Sequence, residues 1–107
     1  MSDLGEWAFI PSFGRQLRSG DKCATIRRTR TAKPGDIFHW RGMTFIVDSY
    51  ERAELKRFAL RSYRQLGARG PLEVIDQLQR CYGKAAAPGI HERVGLITFH
   101  RVHARSA

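Results

Sequence analysis

The chain changes from helix to strand within one stretch, Ser19-Gly20-Asp21-Lys22-Cys23-Ala24-Thr25-Ile26-Arg27, and the turn Lys33-Pro34-Gly35-Asp36 precedes the next strand. Glycine is typical of a helix C-terminus, and the alternation that follows Gly20 predicts a strand with Thr25 and Arg27 on one face. A lysine, a hydroxyl group and a guanidinium therefore lie close together in the sequence. Such a cluster can bind a planar polar ligand or perform acyl chemistry, so this stretch is our first candidate for a functional site.

Signals on both sides of this stretch predict an α+β domain. Pro11 and Ser12 favour the start of a helix, and Arg41-Gly42 is a two-residue connection of the kind that joins hairpin strands. The predicted elements are a strand at 7–10, a helix at 11–19, strands at 23–28, 36–40 and 43–50, helices at 51–66 and 71–82, and a strand at 94–102. We expect one domain over residues 1–107, a small and partly closed mixed β-barrel flanked by helices.

The chain is strongly basic. Nineteen Lys and Arg against ten Asp and Glu give a formal net charge of +9. This excess favours anionic partners, nucleic acids and nucleotides above all, although a basic surface that only aids solubility is the alternative. Many of the basic residues cluster in the sequence: Arg27, Arg28, Arg30, Lys33, Arg101 and Arg105.

The sequence predicts no contact with membranes. No apolar run approaches the roughly 20 residues that span a bilayer. The N-terminus lacks both the basic start and the apolar stretch of a signal peptide. Two cysteines do not make a disulfide framework, so we expect a cytoplasmic monomer with reduced thiols.

We expect neither a metal nor a cofactor. No Cys-x-x-Cys or His-x-x-x-His spacing links the residues that could bind zinc, which are Cys23, Cys81, His39, His91, His100 and His103. Cys81 follows an apolar helical stripe, and we expect it to be a small core residue. That stripe consists of Leu72, Ile75, Leu78 and Tyr82.

The spacing Gly20-x-Lys22-x-x-Thr25-Ile26-Arg27, with the Pro-Gly-Asp turn after it, resembles the ASCH domain, a family related in fold to the PUA RNA-binding modules. The resemblance covers nearly the whole chain. It includes the lead-in Phe9-Ile10-Pro11-Ser12-Phe13, the Pro-led helix that ends in Cys81-Tyr82-Gly83, and the closing strand Gly95-Leu96-Ile97-Thr98-Phe99. It implies a PUA-like fold.

The resemblance also implies two alternative functions. ASCH domains were first proposed as RNA-binding modules, and some small bacterial members are amidohydrolases that remove the acyl group from N4-acetylcytidine. In those enzymes the motif lysine and threonine, here Lys22 and Thr25, are the working pair, assisted by a glutamate before the last helix. The matching stretch Gln65-Leu66-Gly67-Ala68-Arg69 contains no carboxylate, and Glu73 is the nearest substitute. The residues that this resemblance and the charge pattern place near the substrate are Arg27, Arg28, Tyr63 and Arg69.

Lys22 and Thr25 also suit acyl transfer on chemical grounds. A threonine hydroxyl is a poor nucleophile unless a base takes its proton. A lysine can be that base only when burial or nearby cations lower its pKa, and Arg27 or Arg28 could supply such cations. Arg27 could instead hold the substrate carbonyl or the developing oxyanion. The plainer alternative is that Thr25 is a strand former and Lys22 a solvated residue after a helix.

Our leading hypothesis is therefore an amidohydrolase that acts on a modified cytidine nucleoside, with Lys22, Thr25 and Glu73 as its catalytic residues. A non-catalytic module that binds RNA in the same cleft is the alternative, and an RNA nuclease is a weaker third. For either of the first two, we expect the Thr25 side chain to open into a cleft while Ile26 packs in the core.

Overall fold

The computed structural model describes residues 2–103, and Arg105 of the basic C-terminal cluster lies outside them. The strands are β1 (Asp3–Glu6), β2 (Ala24–Arg27), β3 (Ile37–Trp40), β4 (Met43–Glu54) and β5 (Arg93–Val102), and the helices are α1 (Gly14–Ser19), α2 (Leu55–Ser62) and α3 (Pro71–Tyr82). A short 3-10 turn, Pro11–Phe13, leads into α1. The predicted α+β class is confirmed. No helix within residues 2–103 is long and apolar enough to cross a membrane.

All five strands form one mixed sheet in the order β1-β3-β4-β5-β2. β1 pairs with β3 in parallel, and the other neighbours are antiparallel. The two edge strands, β1 and β2, are not hydrogen-bonded to each other, so the sheet remains open where a full barrel would close. The long strands β4 and β5 shift register between Val47 and Ser49. A shift of this kind bends a strand. The sheet is consistent with the PUA-like fold that we expected, but it is not closed into a barrel.

Two glycines with positive φ lie where the sequence predicts a helix end and a hairpin turn. Gly20, with φ of 87°, caps α1 and donates its N–H to the Gln16 carbonyl. In the β3–β4 hairpin, Arg41 and Gly42 have φ of 47° and 79°, which is the pair of positive angles that a two-residue hairpin turn of type I′ requires. Because α1 ends at Gly20, only residues 21–23 connect this helix to β2.

Several predicted boundaries were wrong, and one of them is the end of α2, which lies at Ser62 rather than at residue 66. The first strand is Asp3–Glu6 rather than 7–10, because residues 3 and 6 pair with Ile37 and His39 of β3. Trp7 still donates its backbone N–H to the His39 carbonyl of β3 at 2.8 Å, but residues 7–10 belong to no strand, and their large side chains pack against the aromatic core. The predicted helix at 51–66 begins only at Leu55, because β4 continues through Glu54 opposite Arg93 of β5.

The core consists of two clusters on the sheet. One lies between the sheet and the helices α2 and α3, and its buried members include Leu55, Phe58, Val74, Leu78 and Leu96. The other is rich in aromatic rings, among them Trp7, Phe38, Phe45 and Phe99. The Trp7 and Phe38 rings stack with their centroids 4.1 Å apart.

The buried face of α3 differs from the predicted stripe. Leu72 is 84% exposed, whereas Val74 and Leu78 are buried and Ile75 and Tyr82 pack against them. The apolar face therefore runs through positions 74, 75, 78 and 82, and a helix with this face turns position 72 toward solvent. Cys81 is an exposed residue, so its prediction as a core residue was wrong.

Candidate functional site

A cavity of about 400 Å³ lies beside β2, between the segment 8–13 and the helix α3. Its size is within the range of small-molecule sites. Its lining includes aromatic, aliphatic and polar side chains. The lining residues that the following paragraphs use are Phe9, Phe13, Lys22, Thr25, Arg27, Gln77, Arg80, Cys81 and Tyr82.

Lys22 is the most unusual residue of this cavity, because its charged group is buried. The residue is only 5% exposed. Its Nζ donates to the carbonyls of Ala24 and Leu66, at 2.8 Å and 2.9 Å, and lies 4.4 Å from the centroid of the Phe13 ring. Burial, with the nearby charge of Arg27 as the second cause, lowers the pKa of Lys22 from 10.5 to about 7. Lys22 is therefore partly neutral near neutral pH.

The loop between α2 and α3 holds Lys22 in place. Gln65 accepts the backbone N–H groups of Cys23 and Ala24 through its carbonyl, at 2.8 Å and 2.9 Å. Gly67, with φ of 82°, turns the loop so that its carbonyl accepts the Gln16 side-chain amide at 3.1 Å. Its positive φ favours glycine, and a Cβ at position 67 would lie 2.6 Å from Oε1 of Gln16, so a larger residue would displace the Gln16 side chain. The stretch 65–67 thus supplies backbone acceptors to the lysine motif.

Thr25 lines the same cavity. It lies in the middle of β2, pairs with Ile97 of β5 and is 6% exposed. Its hydroxyl makes no hydrogen bond to any residue in the range 2–103. The next residue, Ile26, belongs to the α2–α3 core cluster, as expected, and also reaches the cavity. Thr25 therefore presents a free hydroxyl to the cavity that Lys22 shares.

Arg27 is the second cation of the cavity. Its guanidinium lies over two rings, with Cζ 5.1 Å from the Trp7 centroid and 5.0 Å from that of Phe9. One Nη donates to the carbonyl of Ala8 at 2.8 Å, while the buried Nε has no partner among the described residues. Burial lowers the pKa of this guanidinium, which nevertheless stays charged at neutral pH.

The helix α3 supplies the polar groups that the sequence did not reveal: Gln77, Arg80, Cys81 and Tyr82. They lie close to the buried positions Val74 and Leu78 on α3. An apolar face drawn through these two residues would therefore have predicted which side of the helix lines the cavity. Although Cys81 is exposed as a residue, partial desolvation of its thiol at the cavity raises the pKa of that thiol, which disfavours the reactive thiolate.

The other predicted site residues do not line the cavity. Arg28 forms an ion pair with Glu92, with N–O distances of 2.6 Å and 3.1 Å. Tyr63 packs against the α2–α3 core cluster, and Arg69 is exposed. Glu73 accepts a long hydrogen bond of 3.4 Å from the Gln77 side chain, so it reaches the cavity only through that residue.

No acidic side chain lines this cavity, and the residues 2–103 contain no group of three or more His, Cys, Asp or Glu side chains that could hold a metal ion. Both cysteines are free. The polar groups of the lining are therefore hydroxyl, amide, thiol and amine groups together with guanidinium cations.

Comparison with known proteins identifies the fold alone. No protein-family model matches the chain, and no curated protein matches it. Among solved structures, hypothetical protein PH0355 aligns with a TM-score of 0.71 at 15% identity, over 95% of this chain and all of that one. An ASCH domain from Lactobacillus crispatus aligns with a TM-score of 0.63 at 11% identity, over 94% of this chain and 80% of that one. Protein PF0455 from Pyrococcus furiosus gives 0.62 at 17% identity, over 97% and 100%. The chain thus has an ASCH-like fold.

Proposed function

We propose that this protein is an amidohydrolase that removes the acyl group from N4-acylcytidine-type nucleosides. The observation that carries the proposal is the joint presence of Lys22 and Thr25 at one cavity, the lysine buried and the hydroxyl free of hydrogen bonds. The ASCH-like fold supports it as an analogy, since the fold by itself does not determine function.

The contacts of Lys22 suit a general base. A neutral amine has two N–H groups and one lone pair, whereas the ammonium form has three N–H groups and no lone pair. The carbonyls of Ala24 and Leu66 accept two N–H groups, which leaves the lone pair of the neutral form for a proton from elsewhere. A pKa of about 7 provides a substantial neutral fraction near neutral pH, where general bases work best.

The proposed reaction has two steps. The Thr25 oxygen attacks the acyl carbon while Lys22 takes the hydroxyl proton, and the amide C–N bond breaks as Lys22 returns that proton to the departing N4. Cytidine leaves and an acyl ester remains on Thr25. Water then attacks the ester carbon, Lys22 transfers the water proton to the Thr25 oxygen, and the acid is released as a carboxylate with its proton lost to solvent.

Arg27 and Gln77 are the groups suited to bind the base. The free N–H groups of Arg27 can donate to the acyl oxygen or to the carbonyl edge of cytosine, while the Gln77 amide can accept from the N4–H. Glu73 does not line the cavity, so we assign it the positioning of Gln77 rather than contact with substrate.

The test is turnover of N4-acetylcytidine, followed as release of cytidine. We expect activity in the wild type and in Thr25→Ser, and a loss of at least about 100-fold in Thr25→Val and Lys22→Met, because each removes one member of a nucleophile–base pair. Arg28→Gln is the matched control, since Arg28 pairs with Glu92 outside the cavity. Full turnover in Thr25→Val would show that water attacks directly, and an inactive wild type would refute the proposal.

Single-stranded RNA is our second candidate ligand. The net charge of +9 and the absence of carboxylates from the cavity lining both favour it. The affinity for single-stranded RNA should then fall with salt, with a slope of log K against log salt of about −0.7 for each phosphate contacted. An affinity that is independent of salt would exclude this role.

A further inference from the structure

Two cations line the cavity, the buried Lys22 and the half-buried Arg27, and neither has a counter-charge among residues 2–103. Neither Lys22 nor Arg27 has a carboxylate within 4 Å among residues 2–103. Cations removed from water are unfavourable unless they are paired, and these two also repel each other. The other cationic residue of the lining, Arg80, does pair with an acid, Asp76, at 2.8 Å.

We propose that Lys22 and Arg27 form an anion site that takes a molecule bearing a carboxylate or a phosphate. The role of such a site in catalysis rests on the proposed function, whereas the binding itself does not. In the hydrolysis described above, the released acid is a carboxylate and leaves beside these two groups. The site would therefore retain the acid product and make the enzyme subject to product inhibition.

Both side chains have hydrogen-bond donors that an anion could use. Arg27 uses one hydrogen bond for Ala8, and its guanidinium has further N–H groups, while protonated Lys22 has a third donor beyond the two carbonyls. The rings of Phe9 and Phe13 lie beside these two cations. The low polarity of these surroundings strengthens attraction between the cations and an anion.

Binding should depend on pH because Lys22 must carry its proton. The titratable groups near Lys22 are Arg27 and Cys23 on the β2 side and Cys81, Arg80 and Tyr82 on α3, whereas the segment 8–13 contributes none. None of these side chains is a carboxylic acid. An anion should therefore bind most tightly below pH 7 and lose affinity as Lys22 is deprotonated above it.

The experiment titrates the protein with sodium acetate and, separately, inorganic phosphate, with sodium chloride at equal ionic strength as the reference. Binding is followed by the side-chain NMR signal of Lys22. We expect saturable binding of at least one probe, an upward shift of the Lys22 pKa on binding, and an affinity that falls about tenfold or more from pH 6 to pH 8.5.

The variants Arg27→Gln and Arg27→Lys test the second cation. Affinity should fall at least tenfold in Arg27→Gln and be partly retained in Arg27→Lys, while Arg28→Gln should bind as the wild type does. Comparison of acetate with phosphate, and of cytidine with cytidine 5′-monophosphate, distinguishes a carboxylate site from a phosphate site. Binding that is no stronger than that of chloride, or that is unchanged from pH 6 to pH 8.5, would refute the anion site.

This outcome is separable from the proposed function. Turnover of N4-acetylcytidine without inhibition by acetate or phosphate would refute the anion site and leave the hydrolase intact. Saturable anion binding without turnover would retain the site and refute the hydrolase.

Discussion

Replacement of Lys22 by methionine should remove a pH-dependent contribution to stability. Methionine has a similar length but no charge, so the variant does not bury an ammonium group in the cavity. The pKa of Lys22 is about 7 in the folded chain, against 10.5 for an ordinary lysine. Because the pKa is lower in the folded chain than in the unfolded one, folding releases a proton between these two values, and the wild type gains stability as the pH rises.

The size of the effect follows from these two values. Below pH 7 both states bind the proton and the full cost of burying the charge is present. From pH 7 to pH 9 this one group should raise the free energy of unfolding by about 2 kcal/mol, and above pH 10.5 the contribution ends. In Lys22→Met the gain should be absent.

The assay is urea denaturation of both proteins at pH 6, 7, 8 and 9. The difference in unfolding free energy between wild type and variant is the measured quantity, because groups present in both proteins, such as the Cys81 thiol, contribute to both curves. Lys56→Met is the matched control, since Lys56 is exposed on α2. If the wild type and Lys22→Met change in parallel with pH, Lys22 is an ordinary charged lysine and cannot be the base.

Three further predictions concern the same cavity. The value of kcat/KM for N4-acetylcytidine should rise with pH and level off above an apparent pKa of about 7, because only neutral Lys22 accepts a proton; a flat pH–rate profile would contradict this. Gln77→Glu places a carboxylate in the cavity, which should raise the pKa of Lys22 and move the pH–rate midpoint up by about one unit or more. An unchanged midpoint would show that residue 77 does not interact electrostatically with Lys22. Arg28→Gln should cost no more than about 1 kcal/mol in urea denaturation, because the Arg28–Glu92 pair is partly exposed, and a larger loss would mean that the pair is structurally essential.

The sequence predicted those elements that have local signals. Gly20 ended α1 and Arg41-Gly42 formed the hairpin, because both depend on backbone conformations that few residues adopt easily. The alternation of residues 24–27 likewise predicted β2 and the packing of Ile26 in the core, although Ile26 also lines the cavity that Thr25 faces. For the same reason Lys22, Thr25 and Arg27, which are close in sequence, were found together.

The remaining features depend on contacts distant in sequence. Nothing local shows that residues 51–54 extend β4, because their conformation is set by pairing with β5. The contribution of α3 to the cavity was also missed, since an apolar stripe drawn through Leu72 assigns the wrong face to the helix. Arg28 adjoins Arg27 in the sequence, yet it pairs with Glu92 from the far end of the chain.

The loop before α3 explains why Lys22 stays without a counter-charge. Its stretch 65–67 meets the lysine motif with backbone carbonyls, and the Leu66 carbonyl accepts a hydrogen bond from Nζ of Lys22. A carbonyl dipole satisfies an N–H group but does not neutralise a full charge, so the burial that lowers the pKa of Lys22 is not offset as it would be by a carboxylate. The loop that lacks the expected glutamate therefore favours a neutral lysine able to act as a base. Arg27 also lines the cavity without a carboxylate partner among residues 2–103, whereas Arg80 pairs with Asp76, so an anionic ligand or product is the group that could balance the charge of Arg27.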